Sequence, residues 1–248
     1  NIENMEMAQS VVRTAAELHS PVIIQTTPGT VKYAGLGMLR AMVAEEARLA
    51  DIPVVLHLDH GSSFELCRDA ILAGYTSVMI DGSKLPYEEN AEVTARVVKL
   101  AAKYGVDVEG ELGTVGGKED THEVKSGAEI YTDPDQAVDF WKRTGVRSLA
   151  VAIGTAHGFY RGEPKLDLAW LKKIAGMVGA PIVLHGASGV PDDQVRRSVE
   201  LGICKVNFAT ELRAALTSGV REALRDESVY DPKVFLRKWS ERVAEIVR

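Results

Sequence analysis

Cysteine occurs only twice in the 248 residues, the net charge is a modest −6, and no apolar stretch is unusually long. Each shortage excludes something. Two thiols, Cys67 and Cys204, cannot staple a disulfide-built scaffold, and their wide separation suits reduced thiols in a cytoplasmic protein. No run reaches the roughly 18–20 apolar residues a membrane helix needs, so no membrane association is expected. Acidic and basic residues are interspersed, which argues against a nucleic-acid surface. No signal peptide is evident, although the chain does not begin with methionine. The glycine fingerprint of a dinucleotide fold does not follow any early strand. What remains is an ordinary globular composition, 46% hydrophobic and 26% charged with 6% aromatic residues, long enough for one large α/β domain.

Seven short apolar runs alternate with amphipathic segments: 21–26, 54–59, 77–82, 106–112, 148–154, 181–186 and 204–209. Their near-continuous apolarity predicts parallel strands covered on both faces. Helical patterns lie between them, over 37–50, 88–104, 134–144, 167–178 and 191–201, several opening on turn and cap residues such as "TDPDQA" and "VPDDQV". Repeated βα units point to a parallel barrel, with a doubly wound open sheet as the competitor. A closed (β/α)8 barrel needs eight strands. The chain opens almost directly on a helix, so the first strand is expected to be missing, with Asn1–Ile2 as its last remnant. The whole of 1–248 is read as one N-terminally incomplete barrel domain.

Ionisable residues gather where these strands end. His57, Asp59 and His60 close "VVLHLDHG" (54–61), Asp81 closes the next run, and Glu109 and Glu111 the one after. His157 follows "AIGTA", His185 ends "PIVLH", and Asn207 lies near the end of "CKVNFA". In a βα barrel these positions ring one face, the face where active sites form. Three imidazoles, from His60, His157 and His185, can converge on one Zn²⁺ and leave a position open for substrate. His57 shares a strand face with Asp59 and is expected to orient its neighbours. His19 and His122 read as surface residues. Small residues after two successive strands, in "LHGASGVP" and "VNFATEL", would let backbone N–H groups approach a phosphate.

These segments resemble the class II, metal-dependent ketose-bisphosphate aldolases. "VVLHLDHG" is similar to one family signature and "VEGELGTVGGKE" (108–119) to the other, and the similarity continues in order through "LAVAIGTAHGFY", "IVLHGASG" and "LGICKVNFATEL". "SPVIIQTTPGT" (20–30) and Ala209 look more like the tagatose-1,6-bisphosphate branch than the fructose one. The resemblance implies a (β/α)8 barrel that reversibly cleaves a ketose bisphosphate to dihydroxyacetone phosphate and glyceraldehyde 3-phosphate. It implies His60, His157 and His185 as ligands of a catalytic Zn²⁺, and Asp59 as acid/base at the C4 oxygen. Asp81 and Glu111 match the positions of a second, more buried metal. Glu119 matches an acidic residue handling the C3 proton. The implied substrate and phosphate contacts are Asn1, Thr27, Gly158, Gly186, Ala187, Ser188, Asn207, Phe208, Ala209, Thr210 and Lys233, assisted by a monovalent cation, Na⁺ or K⁺. Relatives are homodimers or homotetramers.

The segment from Gly116 to about Glu129 is polar and glycine-bounded, and reads as a hinged lid carrying Glu119. Lys205 is expected toward the opposite rim of the barrel, which leaves no strand-end lysine for Schiff-base chemistry. Gly82, Gly110, Lys118 and Lys233 depart from residues common in the family. The rival readings are a metal-dependent hydrolase on the same barrel and a non-catalytic sugar-phosphate-binding barrel.

Overall fold

The computed structural model describes residues 1–119, 122–124, 131–160, 162 and 164–248, with the backbone alone for 118, 119, 122–124, 237 and 238. Ten strands occur among the described residues, in chain order β1 (Val22–Thr26), β2 (Val54–Gly61), β3 (Ser77–Ile80), β4 (Asp107–Leu112), β5 (Gly116–Glu119), β6 (His122–Val124), β7 (Ser148–Val151), β8 (Ala156–His157), β9 (Ile182–Leu184) and β10 (Ile203–Val206). Seven of them form one parallel sheet in the order β1-β2-β3-β4-β7-β9-β10. These are the seven expected apolar runs, paired in sequence order as a barrel requires.

Helices follow the strands, and their sequences explain where they start. In α1 (Met5–Glu17) the side chain of Asn4 accepts from the Met7 N–H, and Ser63 does the same for Leu66 in α4 (Phe64–Ala73). In α6 (Pro134–Thr144), Asp133 accepts from two backbone N–H groups, with Pro134 taking the first-turn position that needs no donor. The remaining helices are α2 (Pro28–Ala34), α3 (Leu36–Leu49), α5 (Tyr87–Ala101), α7 (Leu168–Met177), α8 (Asp192–Glu200), α9 (Thr210–Ala223) and α10 (Pro232–Val247). Their apolar faces are buried, Val97, Phe140, Leu171 and Ile174 among them, and Trp239 of α10 is buried against Gly219 of α9.

The sheet is that of an incomplete (β/α)8 barrel. Its edges are β1 and β10, and Asn1–Ile2 lie between them: the Ile2 N–H donates to the Gln25 carbonyl, while the Asn1 amino group donates to the carbonyl of Phe208, just past β10. Glu3 spans the same gap one residue later, pairing with Arg213 in α9 at 2.6 Å and accepting from the Thr30 hydroxyl of α2 at 2.6 Å.

Outside the main sheet, β5 pairs in parallel with β8 and antiparallel with β6. The segment read as a hinged lid from Gly116 onward thus begins in a paired ladder. Backbone pairing needs no apolar period, and Gly117 at φ +83° brings its Cα against the His157 backbone, where an added Cβ would lie 2.0 Å from the carbonyl oxygen. Residues 120, 121 and 125–129 of the proposed lid lie outside the described residues.

Candidate active site

Because strand side chains alternate between faces, residues two apart on one strand point the same way. Three strands carry polar pairs at that spacing: His57 and Asp59 on β2, Glu109 and Glu111 on β4, and Lys205 on β10 with Asn207 just beyond it. The pairs build two polar tiers inside the barrel mouth.

The lower tier is a charge network. Lys205 Nζ lies 3.0 Å from Glu109 Oε2 and donates to Asn207 Oδ1 at 2.8 Å. Glu109 Oε1 lies 2.8 Å from His185 Nε2. His57 Nδ1 meets the Ser77 hydroxyl at 2.8 Å, and its Nε2 lies 3.8 Å from Glu109 Oε2. Lys205 is therefore not directed at the opposite rim: its four-carbon stem carries the ammonium inward, beneath the histidines. Burial, reinforced by the Lys205 charge, lowers the His57 imidazole to about 3, so it is neutral at physiological pH. Burial alone would raise the Glu109 carboxyl, but Lys205 and the hydrogen bond to His185 hold it well below the usual carboxylate range.

The upper tier brings together the three expected metal ligands, all buried, with one ring nitrogen from each of His60, His157 and His185 within 4.8 Å of the others. His60 reaches this position through an irregularity. Leu58 pairs with Val78 but Gly61 with Ile80, so β2 carries an extra residue there, and His60 takes the left-handed conformation at φ 48°. Such a backbone is costly for a residue with a Cβ and persists where its surroundings over-determine it. Here the bulge turns His60 onto the same side as Asp59. Gly61 follows because a Cβ would lie 2.3 Å from the Met79 carbonyl oxygen.

Hydrogen bonds assign the ring protons. His60 Nδ1 donates to Asp81 Oδ2 at 2.9 Å, and His185 Nε2 donates to Glu109 at 2.8 Å. That leaves lone pairs on His60 Nε2 and His185 Nδ1, which face each other at 3.0 Å. Two acceptors at that distance repel unless a positive centre sits between them. Tetrahedral ligands at 2.0–2.1 Å from Zn²⁺ would be separated by about 3.3 Å, close to the observed spacing.

Charge balance points the same way. Asp59, Asp81, Glu109 and Glu111 converge here against one lysine. Neither carboxylate oxygen of Glu111 receives a hydrogen bond among the described residues, although the group is wholly buried. Burial and the neighbouring Asp81 push the Glu111 carboxyl well up, as expected where negative charge outweighs positive. Burial opposes protonation of His60, but Asp59 and the hydrogen bond to Asp81 raise its pKa well above the usual imidazole value, so the positive centre between His60 Nε2 and His185 Nδ1 is a proton when no metal ion is bound. A buried donor set of three imidazoles flanked by under-compensated carboxylates fits a divalent cation. His60, Asp81 and Glu111 also offer ligand atoms within 4.8 Å of one another.

Asp59 lies beside the histidines and is held by amides. Asn1 Nδ2 donates to Oδ2 at 2.7 Å, Asn207 Nδ2 to Oδ1 at 3.4 Å, and Gln25 in turn donates to Asn1 Oδ1 at 2.9 Å. Burial would raise the Asp59 carboxyl, but His60, His185 and Lys205 outweigh it and keep it well below the usual range. It is thus ionised and oriented, as a base must be.

The two small-residue loops converge after β9 and β10. The Ala187 N–H donates to the Asn207 carbonyl, and Ser188 Oγ accepts from the N–H groups of Ala209 at 3.4 Å and Glu211 at 3.5 Å. Gly186, at φ +65°, packs against the Ala156 backbone, and Gly158, at φ +90°, follows His157. Tyr160, which sequence reasoning passed over, ties these loops together: its hydroxyl accepts from the Ala156 N–H at 2.8 Å and donates to the Gly186 carbonyl at 2.7 Å. A cavity of about 410 Å³ opens here, lined by Phe159, Tyr160, Gly162, Pro164, Ser188, Gly189, Thr210 and Glu211. Ala209 stands at the N-cap of α9 without a side-chain cap, and Thr210 begins the helix.

Three expected residues stand apart. Thr27 is buried and spends its hydroxyl capping α2 through the Thr30 N–H at 3.3 Å. Lys233 lies on the α1–α10 face, exposed, with Nζ on Asp231 at 2.9 Å. The Glu119 side chain falls outside the described residues, although its backbone pairs with His122 in β5–β6. Gln25, Lys205 and Tyr160 complete the site beside the strand-end Glu109, and of these three only Lys205 could have been flagged, by its two-residue spacing from Asn207.

The model of the class-II fructose-bisphosphate aldolase family matches residues 1–248. The D-tagatose-1,6-bisphosphate aldolase subunit GatY of Klebsiella oxytoca is 44% identical over 249 residues, covering 100% of this chain and 88% of that protein. The fructose-bisphosphate aldolase of Geobacillus stearothermophilus is 46% identical over 239 residues, covering 94% and 82%. Among solved structures, the YdjI aldolase from Escherichia coli K12 superposes with a TM-score of 0.88 at 37% identity, over 100% of this chain and 86% of that one. The barrel, the histidine cluster and these relatives agree: the chain belongs to the class-II fructose-bisphosphate aldolase family and is an aldolase, a carbon–carbon lyase.

Proposed function

We propose that the chain cleaves tagatose 1,6-bisphosphate to dihydroxyacetone phosphate and glyceraldehyde 3-phosphate, with fructose 1,6-bisphosphate as the alternative substrate. The observation that carries this reading is the ionised, amide-held Asp59 beside three converging imidazoles at a mouth flanked by two small-residue loops. Asp59 accepts the proton of the C4 hydroxyl as the C3–C4 bond breaks, and C4 becomes the aldehyde carbon. A Zn²⁺ ion held by His60, His157 and His185 supplies Lewis acidity for the negative charge that builds on the ketose oxygens. Glu119 delivers a proton to C3 to complete dihydroxyacetone phosphate. Asn1 and Asn207 hold Asp59 in line, while Gly158, Gly186, Ala187, Ser188, Phe208, Ala209 and Thr210 form the substrate and phosphate cradle, with a monovalent cation assisting. Asp81 and Glu111, grouped with His60, are the candidate ligands of a second metal.

Residues 1–248 act as one barrel catalytic domain, in a homodimer or homotetramer. Tagatose and fructose bisphosphates differ in configuration at C4, the atom Asp59 serves. The branch preference rests on "SPVIIQTTPGT" and Ala209. The test is a coupled cleavage assay run with both bisphosphates on the purified protein. A higher kcat/KM for tagatose bisphosphate supports the assignment; a preference for the fructose epimer replaces it with the alternative; cleavage of neither overturns it.

A further inference from the structure

The Lys205–Glu109 pair of the lower polar tier has no part in the chemistry described above, yet it is costly to build. A carboxylate and an ammonium, at 1% and 11% side-chain exposure, lie inside the barrel at 3.0 Å. Desolvating such a pair often offsets its attraction, so stability alone gives little reason to keep it. Its contacts suggest another reason. Glu109 uses one oxygen for Lys205 and the other for His185 Nε2.

We propose, resting on the metal reading above, that Glu109 clamped by Lys205 is the positioning residue that fixes the tautomer of His185 and aims its Nδ1 at the metal. An imidazole has two nitrogens, and whichever carries the proton cannot bind a cation. In His185 it is Nδ1 that faces His60 Nε2, at 3.0 Å, so the proton must sit on Nε2. Two groups lie near Nε2: Glu109 Oε1 at 2.8 Å and Asn207 Nδ2 at 3.1 Å. Asn207 cannot take that proton, because its Oδ1 is already turned toward Lys205 Nζ. Were Nε2 to accept from Asn207 instead, its lone pair would face the Glu109 carboxylate at hydrogen-bond distance. Lys205 thus serves twice, holding Glu109 in its acceptor orientation and turning the amide of Asn207 so that its NH2 faces Asp59. One ammonium sets the orientation of both a metal ligand and the base's partner. His57, neutral and bonded to Ser77, closes the remaining side of Glu109 without offering it a charge.

The test measures Zn²⁺ affinity by competition with a chromophoric chelator for the wild type, Glu109→Gln, Lys205→Met and the double variant. Removing such an outer partner of a ligating histidine typically weakens metal binding about 10–100-fold. The double variant leaves neither charge unpaired, so its thermal stability is expected to recover relative to Lys205→Met, while its Zn²⁺ affinity stays weakened and the visible spectrum of its Co²⁺ form stays shifted. A double variant with wild-type affinity and an unshifted Co²⁺ spectrum would reduce Glu109 to a counter-ion of Lys205 and overturn the proposal. Should the variants fail to fold, ¹⁵N NMR of histidine in the Zn²⁺-loaded wild type decides: His185 protonated at Nε2 supports the assignment, and His185 protonated at Nδ1 refutes it. A wild type that binds no Zn²⁺ would instead refute the metal reading.

Discussion

Replacing Asp59 by asparagine removes one charge and almost no volume, which makes it the sharpest probe of the division of labour in the upper tier. The carboxylate accepts from Asn1 Nδ2 at 2.7 Å and from Asn207 Nδ2 at 3.4 Å. An asparagine oxygen can keep the shorter of these bonds, while its NH2 faces the Asn207 NH2 donor to donor, so only the longer 3.4 Å bond is given up and the fold should lose little. Loss of a positioned general base typically costs about 10²–10⁴ in rate, or roughly 3–5 kcal/mol of barrier. Cleavage followed by NADH-linked reduction of the released dihydroxyacetone phosphate should therefore show kcat down by that factor with KM little changed. Elemental analysis should still find Zn²⁺, since Asp59 lies outside the three-histidine donor set. A variant that loses its metal would make Asp59 a ligand, and one with kcat within a fewfold of wild type would remove it as the base.

Gly117→Ala should disturb the metal centre from a distance. Its Cβ would fall 2.0 Å from the His157 carbonyl oxygen at a left-handed φ of +83°, so β8 must shift. Overpacking of this kind costs about 1–3 kcal/mol, readable as a lower Tm together with reduced Zn²⁺ content; an unchanged Tm and metal content would contradict the β5–β8 pairing. Glu119→Ala should slow exchange of the C3 proton of dihydroxyacetone phosphate with solvent while Zn²⁺ stays bound, and unchanged exchange by NMR would take Glu119 out of the reaction. The thiols should separate under alkylation. Cys67 is fully buried and its thiol is pushed up to about 12 by burial, with Glu65 adding to the shift, whereas Cys204 is exposed. A raised thiol pKa leaves the unreactive protonated form dominant until pH approaches it, so at pH 8 only about one Cys67 in 10⁴ is thiolate. Mass spectrometry should find a single adduct, on Cys204, until denaturant is added; native labelling of Cys67 would contradict its burial.

The order of the seven strands was legible because parallel strands buried on both faces are written as continuous apolar runs, and each pairs with its neighbour in the chain. The histidine cluster was legible for a related reason: a strand tip is a fixed address, so His60, His157 and His185 could be assigned to one rim without knowing any distance. What stayed hidden depends on through-space partners. Nothing local in "CKVNFA" says that the Lys205 ammonium turns inward to Glu109, since a long flexible stem can reach either rim. The bulge that puts His60 at φ 48° leaves no mark in "VVLHLDHG", where strict alternation would send Asp59 and His60 to opposite faces. The pairing of β5 with β8 joins glycine-rich backbone to a two-residue strand about 40 positions later, beyond any periodicity. Thr27, read as a substrate contact, also caps a helix, a role equally available to any threonine before a proline-led helix.

The central claim is a metal-dependent retro-aldol cleavage at the three-histidine site, and chelation tests it most directly. Purified protein should release dihydroxyacetone phosphate from a ketose 1,6-bisphosphate, lose that activity when a chelator strips the metal, and regain it on addition of Zn²⁺ alone. His185→Ala should show neither the initial activity nor the recovery. Full cleavage in excess chelator, with elemental analysis finding no metal on the protein, would contradict the account.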